Sequence, residues 1–133
     1  MIILIVEDEI LIGWALKLVL HLAGHHAVGP AASADEALRL AQVERPELAF
    51  VDINIEGDRD GIAVARELTQ AHGTSCIFLT AQADHARLAK DAALGVISKP
   101  YDPRHLLQAV DFVAATRGGQ IPSTVPRHLE LLH

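Results

Sequence analysis

Five short apolar runs punctuate the chain, at 2–6, 26–30, 48–52, 76–80 and 95–98. Continuous runs of this length, lacking strict alternation, read as strands of a parallel sheet covered on both faces. Between them, apolar positions recur with helical spacing at 9–23, 35–44, 60–72, 84–93 and 103–116. Strand and helix alternate throughout, so the pattern predicts an α/β fold, a doubly wound five-stranded parallel sheet with five helices. The breaks fall where such elements need them. Gly24 closes the first helix, Pro46 the second and Gly73 the third, and Gly95 separates the fourth helix from the last strand. Ser33, with Glu36 three residues on, reads as a capping box for the second helix. After Thr116 the stretch RGGQIPSTVPRHLELLH is rich in Gly and Pro and is expected to be a flexible tail with a short terminal helical turn.

The first helix carries more apolar surface than a core requires. Leu11, Trp14 and Leu18 fall at i, i+3 and i+7 and share one stripe. Ile12, Leu16, Val19 and Ala23 form another face that can supply the core. The stripe is therefore expected to be exposed and to meet a partner, since exposed apolar patches mark interaction sites and Trp is enriched among binding hot spots.

Composition narrows the classes. A chain of 133 residues, half of them hydrophobic, fits one domain with a packed core. A net charge of −6 argues against a nucleic-acid partner. The lone Cys76 excludes an intrachain disulfide and reads as a buried inert thiol, which fits a cytoplasmic setting. No run reaches the roughly 20 apolar residues of a membrane span. MIILIVEDE lacks the basic segment and cleavage site of a signal peptide.

The candidate chemistry sits where the strands stop. Glu7 and Asp8 follow MIILIV, Asp52 follows LAFV, Thr80 follows CIFL, and Lys99-Pro100 follow VIS. The carboxyl ends of parallel strands line one edge of an open sheet, and ligands bind there. Three carboxylates, a hydroxyl and an ammonium are thus expected to meet in one crevice. Crowded carboxylates repel until a hard divalent cation binds between them. This is the chemistry of a Mg²⁺-assisted phosphoryl acceptor. Elsewhere, His21 and His25 have metal-like spacing, but Gly24 falls between them and no third ligand accompanies them. No Gly-rich phosphate loop and no nucleophile elbow is present.

Taken in order, each at a strand end, these four strings resemble the response regulator receiver domain, the CheY-like family of two-component signalling. The resemblance covers residues 1 to about 116 and leaves 117–133 as a tail with no output domain. It implies the flavodoxin-like strand order 2-1-3-4-5. It implies that Asp52 accepts the phosphoryl group as an aspartyl-phosphate. Asp8 is then the direct ligand to Mg²⁺, or to Mn²⁺ in its place, with Glu7, Asp52 and the backbone carbonyl of Asn54 completing the site. Lys99 pairs with the acceptor and then with a phosphoryl oxygen. Thr80 is the switch hydroxyl, the small Ala81 leaves access to the acceptor, and the Lys99–Pro100 bond is cis. Kinase helices dock beside the first helix in this family. Leu11, Trp14 and Leu18 would therefore contact a histidine kinase or histidine phosphotransfer protein, or a second copy in a homodimer. The expected product is a change of affinity for a downstream protein. The chain is not expected to be an enzyme beyond its own phosphotransfer and autodephosphorylation.

The chain departs from the family pattern in three places. Many receivers carry an aromatic residue three positions before the lysine, where Val96 stands here, and the aromatic falls after KP as Tyr101. The loop INIEGDRDG after Asp52 is one residue longer than usual and lacks the usual Pro; with FLTA and KPY it resembles a subgroup of stand-alone alphaproteobacterial-type receivers. The first helix places Gly13, Trp14, Leu18 and His21 where receivers tend to have charges. Three other readings compete. A haloacid-dehalogenase-type phosphatase uses a similar set, but needs a second Asp where Asn54 stands and a nucleophile on the first strand. A flavodoxin-like FMN carrier needs a Ser/Thr/Gly-rich loop where VEDEIL stands. A receiver-like domain that binds partners without phosphorylation would not need the intact acidic set.

Overall fold

In the computed structural model, which describes residues 1–132, strands β1 (Ile2–Val6), β2 (His26–Ala31), β3 (Leu48–Asp52), β4 (Ser75–Thr80) and β5 (Gly95–Ser98) run parallel in the order β2-β1-β3-β4-β5. Helices α1 (Ile10–Leu22), α2 (Ala34–Glu44), α3 (Gly61–His72), α4 (Ala83–Arg87) and α5 (Pro103–Arg117) connect and follow them. Strand order and strand positions match the expectation, the positions to within a residue at each end. Among the described residues no helix is long and apolar enough to cross a membrane.

The period of two in each strand divides the core into two layers. Ile3, Ile5, Leu48, Phe50, Ile77 and Leu79 pack with Leu16 and Leu20 of α1 and Leu106 and Val110 of α5. Leu4, Val6, Ala49, Val51, Cys76 and Phe78 pack with Ala37 and Ala41 of α2 and Val64 and Leu68 of α3. Every strand is thus apolar on both faces, which is why the runs read as continuous. Burial raises the Cys76 thiol to about 12, so it stays protonated and inert.

Local signals act much as read. Ser33 Oγ accepts the Glu36 amide at 3.3 Å, while Glu36 Oε2 accepts the amide of Ala32 at 3.1 Å, so the box closes one residue upstream of Ser33. Asp60 Oδ1 caps α3 by accepting the Ala63 amide at 3.0 Å. Gly61 opens that helix against the end of β3. A Cβ there would lie 2.0 Å from the Asp52 carbonyl oxygen, so only glycine fits.

Three expectations are corrected. The fourth helix spans Ala83–Arg87, not 84–93. Beyond it the chain takes tight turns, with Leu88 N–H donating to His85 O, Ala89 to Ala86 O and Ala92 to Ala89 O. Buried Ala86, Ala89 and Ala92 keep a three-residue spacing through those turns, and the spacing imitated a longer helix. The terminal segment is not a helical turn. A sixth strand, β6 (Glu130–Leu131), adds antiparallel to β5, pairing Leu131 with Gly95 and Glu130 with Val96. Leu129 and Leu131 reach the α1/α5 layer and Leu132 the other, an alternation too short to tell from a helix by eye. The core face of α1 is Gly13, Leu16 and Leu20, not Ile12, Leu16, Val19 and Ala23. Gly13 lets Pro30 of β2 approach until a Cβ would meet the proline Cβ at 2.5 Å, which sets the helix rotation. Leu11, Trp14 and Leu18 remain 81%, 62% and 59% exposed, and Leu22 extends their stripe.

Gly61→Ala must push β3's end away from α3. It should lower stability by about 1–3 kcal/mol, as overpacking does. Urea unfolding checks this, and an unchanged midpoint would show that the close approach is not fixed.

Candidate functional site

Three strand ends deliver the carboxylates and the ammonium. Glu7 and Asp52 are buried, Asp8 is half-buried, and single oxygens of the three lie within 4.8 Å of one another. Lys99, just past β5, donates from Nζ to Asp52 Oδ2 at 2.7 Å and lies 3.9 Å from Glu7 Oε1. The other oxygen, Asp52 Oδ1, accepts the Asn54 amide at 2.9 Å. Glu7 Oε2 accepts the Glu9 amide at 3.2 Å. Glu7 Oε1 is buried without a hydrogen-bond partner.

The electrostatics follow from this geometry. Burial is the largest influence on Glu7, and with the nearby Asp52 charge it raises the carboxyl to about 7 despite the Glu9 amide and the Lys99 charge. Burial also acts to lower the Lys99 ammonium, but the Asp52 hydrogen bond and the charges of Asp52, Glu7 and Glu9 outweigh it and leave its pKa raised. One ammonium faces three carboxylates, so the site lacks positive charge. Its oxygen-only donors, orphaned Glu7 oxygen and charge imbalance fit a hard divalent cation such as Mg²⁺ or Mn²⁺. Among the described residues this is the only group of three or more such side chains with ligand spacing. His21 and His25 are not part of such a group; the His25 ring instead lies 3.4 Å from the N-terminal amine.

Thr80 is buried beside these groups at the end of β4. Its Oγ1 accepts the Gln82 amide at 2.9 Å, and its carbonyl accepts the Lys99 amide at 2.8 Å. Ala81 is exposed and lines an apolar cleft of about 440 Å³ with Ile12, Lys99, Pro100 and Tyr101. Burial, then the charges of Glu7 and Asp52, push the Tyr101 phenol up to about 12, so it stays neutral at the cleft. The Lys99–Pro100 bond is cis. Val96 is buried in the α2/α3 layer, beside Phe78 in the sheet and away from the crevice. Leu11, Trp14 and Leu18 lie on the open face of α1.

The structure thus brings Glu7, Asp8, Asp52, Thr80 and Lys99 to one edge, with Asn54 contributing its amide. The amides of Glu9 and Gln82 and the cleft wall at Ile12 were not read from the sequence. A backbone amide carries no residue signature, and the only available signal was the polar turn that follows each strand.

The model of the response regulator receiver domain matches residues 3–111. The transcriptional regulatory protein PdtaR of Mycobacterium tuberculosis is 34% identical over 116 residues, covering 85% of this chain and 56% of that protein. The chain spans about half the length of the curated relatives it matches. The receiver domain of NtrX from Brucella abortus superposes with a TM-score of 0.79 at 28% identity, covering 86% of this chain and 98% of that one. The signal receiver domain of a modulated diguanylate cyclase from Desulfovibrio desulfuricans gives 0.79 at 28%, covering 88% and 95%. The chain belongs to the response regulator receiver domain family.

The raised Glu7 pKa has a definite sign. The native state holds a proton that the unfolded chain releases near 4.5, so Glu7's stabilising contribution is full below 4.5 and lost as pH rises through about 7. Metal-free protein should lose stability between pH 5 and about 7.5 by urea unfolding, and Glu7→Gln should flatten that loss. A wild-type profile that rises over this range and is unaffected by the substitution would contradict the assignment.

Proposed function

We propose that this receiver accepts a phosphoryl group on Asp52 from the phosphohistidine of a histidine kinase or phosphotransfer protein. The observation that carries the reading is the Asp52 carboxylate. It is buried at the sheet edge, clamped by Lys99 at 2.7 Å and the Asn54 amide at 2.9 Å, with Glu7 and Asp8 alongside. Held so, an Asp52 oxygen is aimed rather than free, which lowers the entropic part of the barrier. Its oxygen forms the new bond to phosphorus as the phosphorus–nitrogen bond to the donor histidine breaks, and the imidazole leaves with the electron pair. Asp8, with Glu7, Asp52 and the Asn54 carbonyl, would hold Mg²⁺, which when bound supplies positive charge to the phosphoryl oxygens. Lys99 moves its hydrogen bond from Asp52 to a phosphoryl oxygen. Thr80 turns its hydroxyl toward the same group and so leaves the Gln82 amide, and the α4 region reports the change. The chain turns over no separate substrate.

The donor approaches over α1. Leu11, Trp14 and Leu18 form its exposed stripe, and Ile12 leads from the helix into the cleft at Ala81, Lys99 and Tyr101. An apolar helix face placed beside an acidic crevice suits the helices that present a phosphohistidine. The phosphatase reading loses ground because Asp52 lies on β3 and the Asn54 amide is not acidic enough to serve as a general acid. The flavin reading loses ground because the sheet edge is acidic.

Two measurements test this. Incubation with phosphorylated kinases and Mg²⁺ should give a base-labile label on the wild type and none on Asp52→Asn; full labelling of the variant would refute the acceptor. Trp14→Ala with Leu18→Ser should slow transfer about tenfold or more while calorimetric Mg²⁺ affinity stays within twofold, since hot-spot losses are of this size. Unchanged transfer by the folded double variant would remove the stripe from the donor surface.

A further inference from the structure

We propose that residues 128–132 are a strap, fastened across β5 and α4, that comes loose when Asp52 carries a phosphoryl group. The inference rests on the acceptor reading and adds what the site controls.

The strap grips three elements. The His128 ring stacks on His105 of α5, with centroids 3.4 Å apart and planes 17° from parallel. Leu129 is buried against the α1/α5 layer. Glu130 and Leu131 pair with Val96 and Gly95 of β5, and the Leu132 amide donates to Leu94 O at 2.9 Å. Glu130 takes both Arg87 Nε, at 2.7 Å, and Arg87 Nη2, at 2.9 Å, at the end of α4. Leu129 is the one buried side chain of the strap, and the other contacts are weak. A two-residue ladder is marginal, and an exposed ion pair adds little. Segments held by few buried contacts open well below the free energy of global unfolding, so a small change at their anchors shifts their population.

Those anchors are wired to the crevice at both ends. The Gln82 amide, at the start of α4, donates to Thr80 Oγ1 at 2.9 Å. Five residues on, Arg87 holds Glu130. When Thr80 turns toward a phosphoryl group, the hydrogen bond fixing the start of this single-turn helix is lost, and Arg87 moves with it. On the other side, β5 runs from the strap's partners, Gly95 and Val96, to Lys99 three residues past Val96. Lys99 is the group that must change partners on phosphorylation. The strap therefore bridges the two elements whose ends are attached to the two moving groups. Release would uncover Leu94 O and the strap-facing edge of β5 at Gly95 and Val96, an open sheet edge of the kind that pairs with another strand.

Gly95 offers a clean perturbation. A Cβ built there meets Glu130 O at 2.7 Å and Leu129 Cδ1 at 2.8 Å, and its three nearest atoms all belong to the strap. Gly95→Ala thus expels the strap while touching nothing nearer in the domain. The phosphoryl mimic beryllium fluoride, with Mg²⁺, is the probe. On binding, it should speed amide exchange at 129–132 and tryptic cleavage after Arg127 by about fivefold or more. Linkage is reciprocal, so Gly95→Ala should bind the mimic about fivefold more tightly than wild type. Glu130→Lys, an exposed charge reversal facing Arg87, should do the same if Gly95→Ala folds poorly. Protection appearing at 52–56 and 80–82 with strap exchange unchanged would overturn the strap alone. So would unaltered mimic affinity in a folded variant whose strap exchanges freely. Failure of the mimic to bind the wild type at all would overturn the acceptor reading, and the strap with it.

Discussion

One hydrogen-bonded ion pair organises the functional edge. Lys99 reaches from the end of β5, past β4, to Asp52 at the end of β3. Without that ammonium, Glu7, Asp8 and Asp52 would sit within 4.8 Å of one another with nothing opposing their charge. Asp52 is buried and Lys99 only partly so, and the pair is weak evidence for stability because the carboxylate loses water to make it; removing Lys99 is what costs, since Asp52 is left buried and uncompensated. The edge is therefore held in a poised state by the layers beneath it. Phe50 and Phe78, fully buried on opposite sheet faces, belong to a core that can carry an unfavourable cluster at its rim.

The same feature made this edge legible in the sequence. Asp52, Thr80 and Lys99 each stand where an apolar run stops, and the two-layer fold fixes that the runs stop on one side. What escaped reading were elements decided by contacts between distant residues. The rotation of α1 depends on Gly13 meeting Pro30, and either of two apolar faces satisfied the periodicity. The fourth helix ends early because Ala86, Ala89 and Ala92 can be buried by successive turns as well as by a helix. The last strand is two residues long and exists because β5 offers an edge. Backbone donors to Glu7, Asp52 and Thr80 could not be read at all, since any residue supplies an amide.

Two of those parts, the short fourth helix and the last strand, lie together beside β5 and are joined by the Arg87–Glu130 ion pair. Alanines bury little area apiece, so the segment from Ala83 to Leu94 is anchored by small contacts. Val96, where many receivers have an aromatic, is locked into the α2/α3 layer and offers no large side chain that could swing. A change at Thr80 thus has no ring at the Val96 position to pass through. On the proposed reading it travels instead through the Gln82 amide into α4, the shortest helix of the domain.

The opposite flank has the reverse character. α1 has one charged side chain, Lys17, and its ammonium is turned back to the carbonyl of Gly29 at 2.9 Å. A surface helix normally alternates a core face with a charged one, and a helix apolar all round is normally covered. Leu11, Trp14, Leu18 and Leu22 instead form an uncovered apolar stripe, the face to which the proposed function assigns the donor protein. The N-terminal end of that stripe adjoins Asp8, and Ile12 opens into the cleft shared with Ala81 and Tyr101. On the proposed reading, a partner that covers the stripe would also shield the crevice from water. Shielding would then strengthen the electrostatics of Lys99 and of a bound cation toward the phosphoryl group. On the same reading, the excess of apolar surface on α1 and the deficit of positive charge at the sheet edge are two halves of one arrangement: a partner would cover the first and a cation would balance the second.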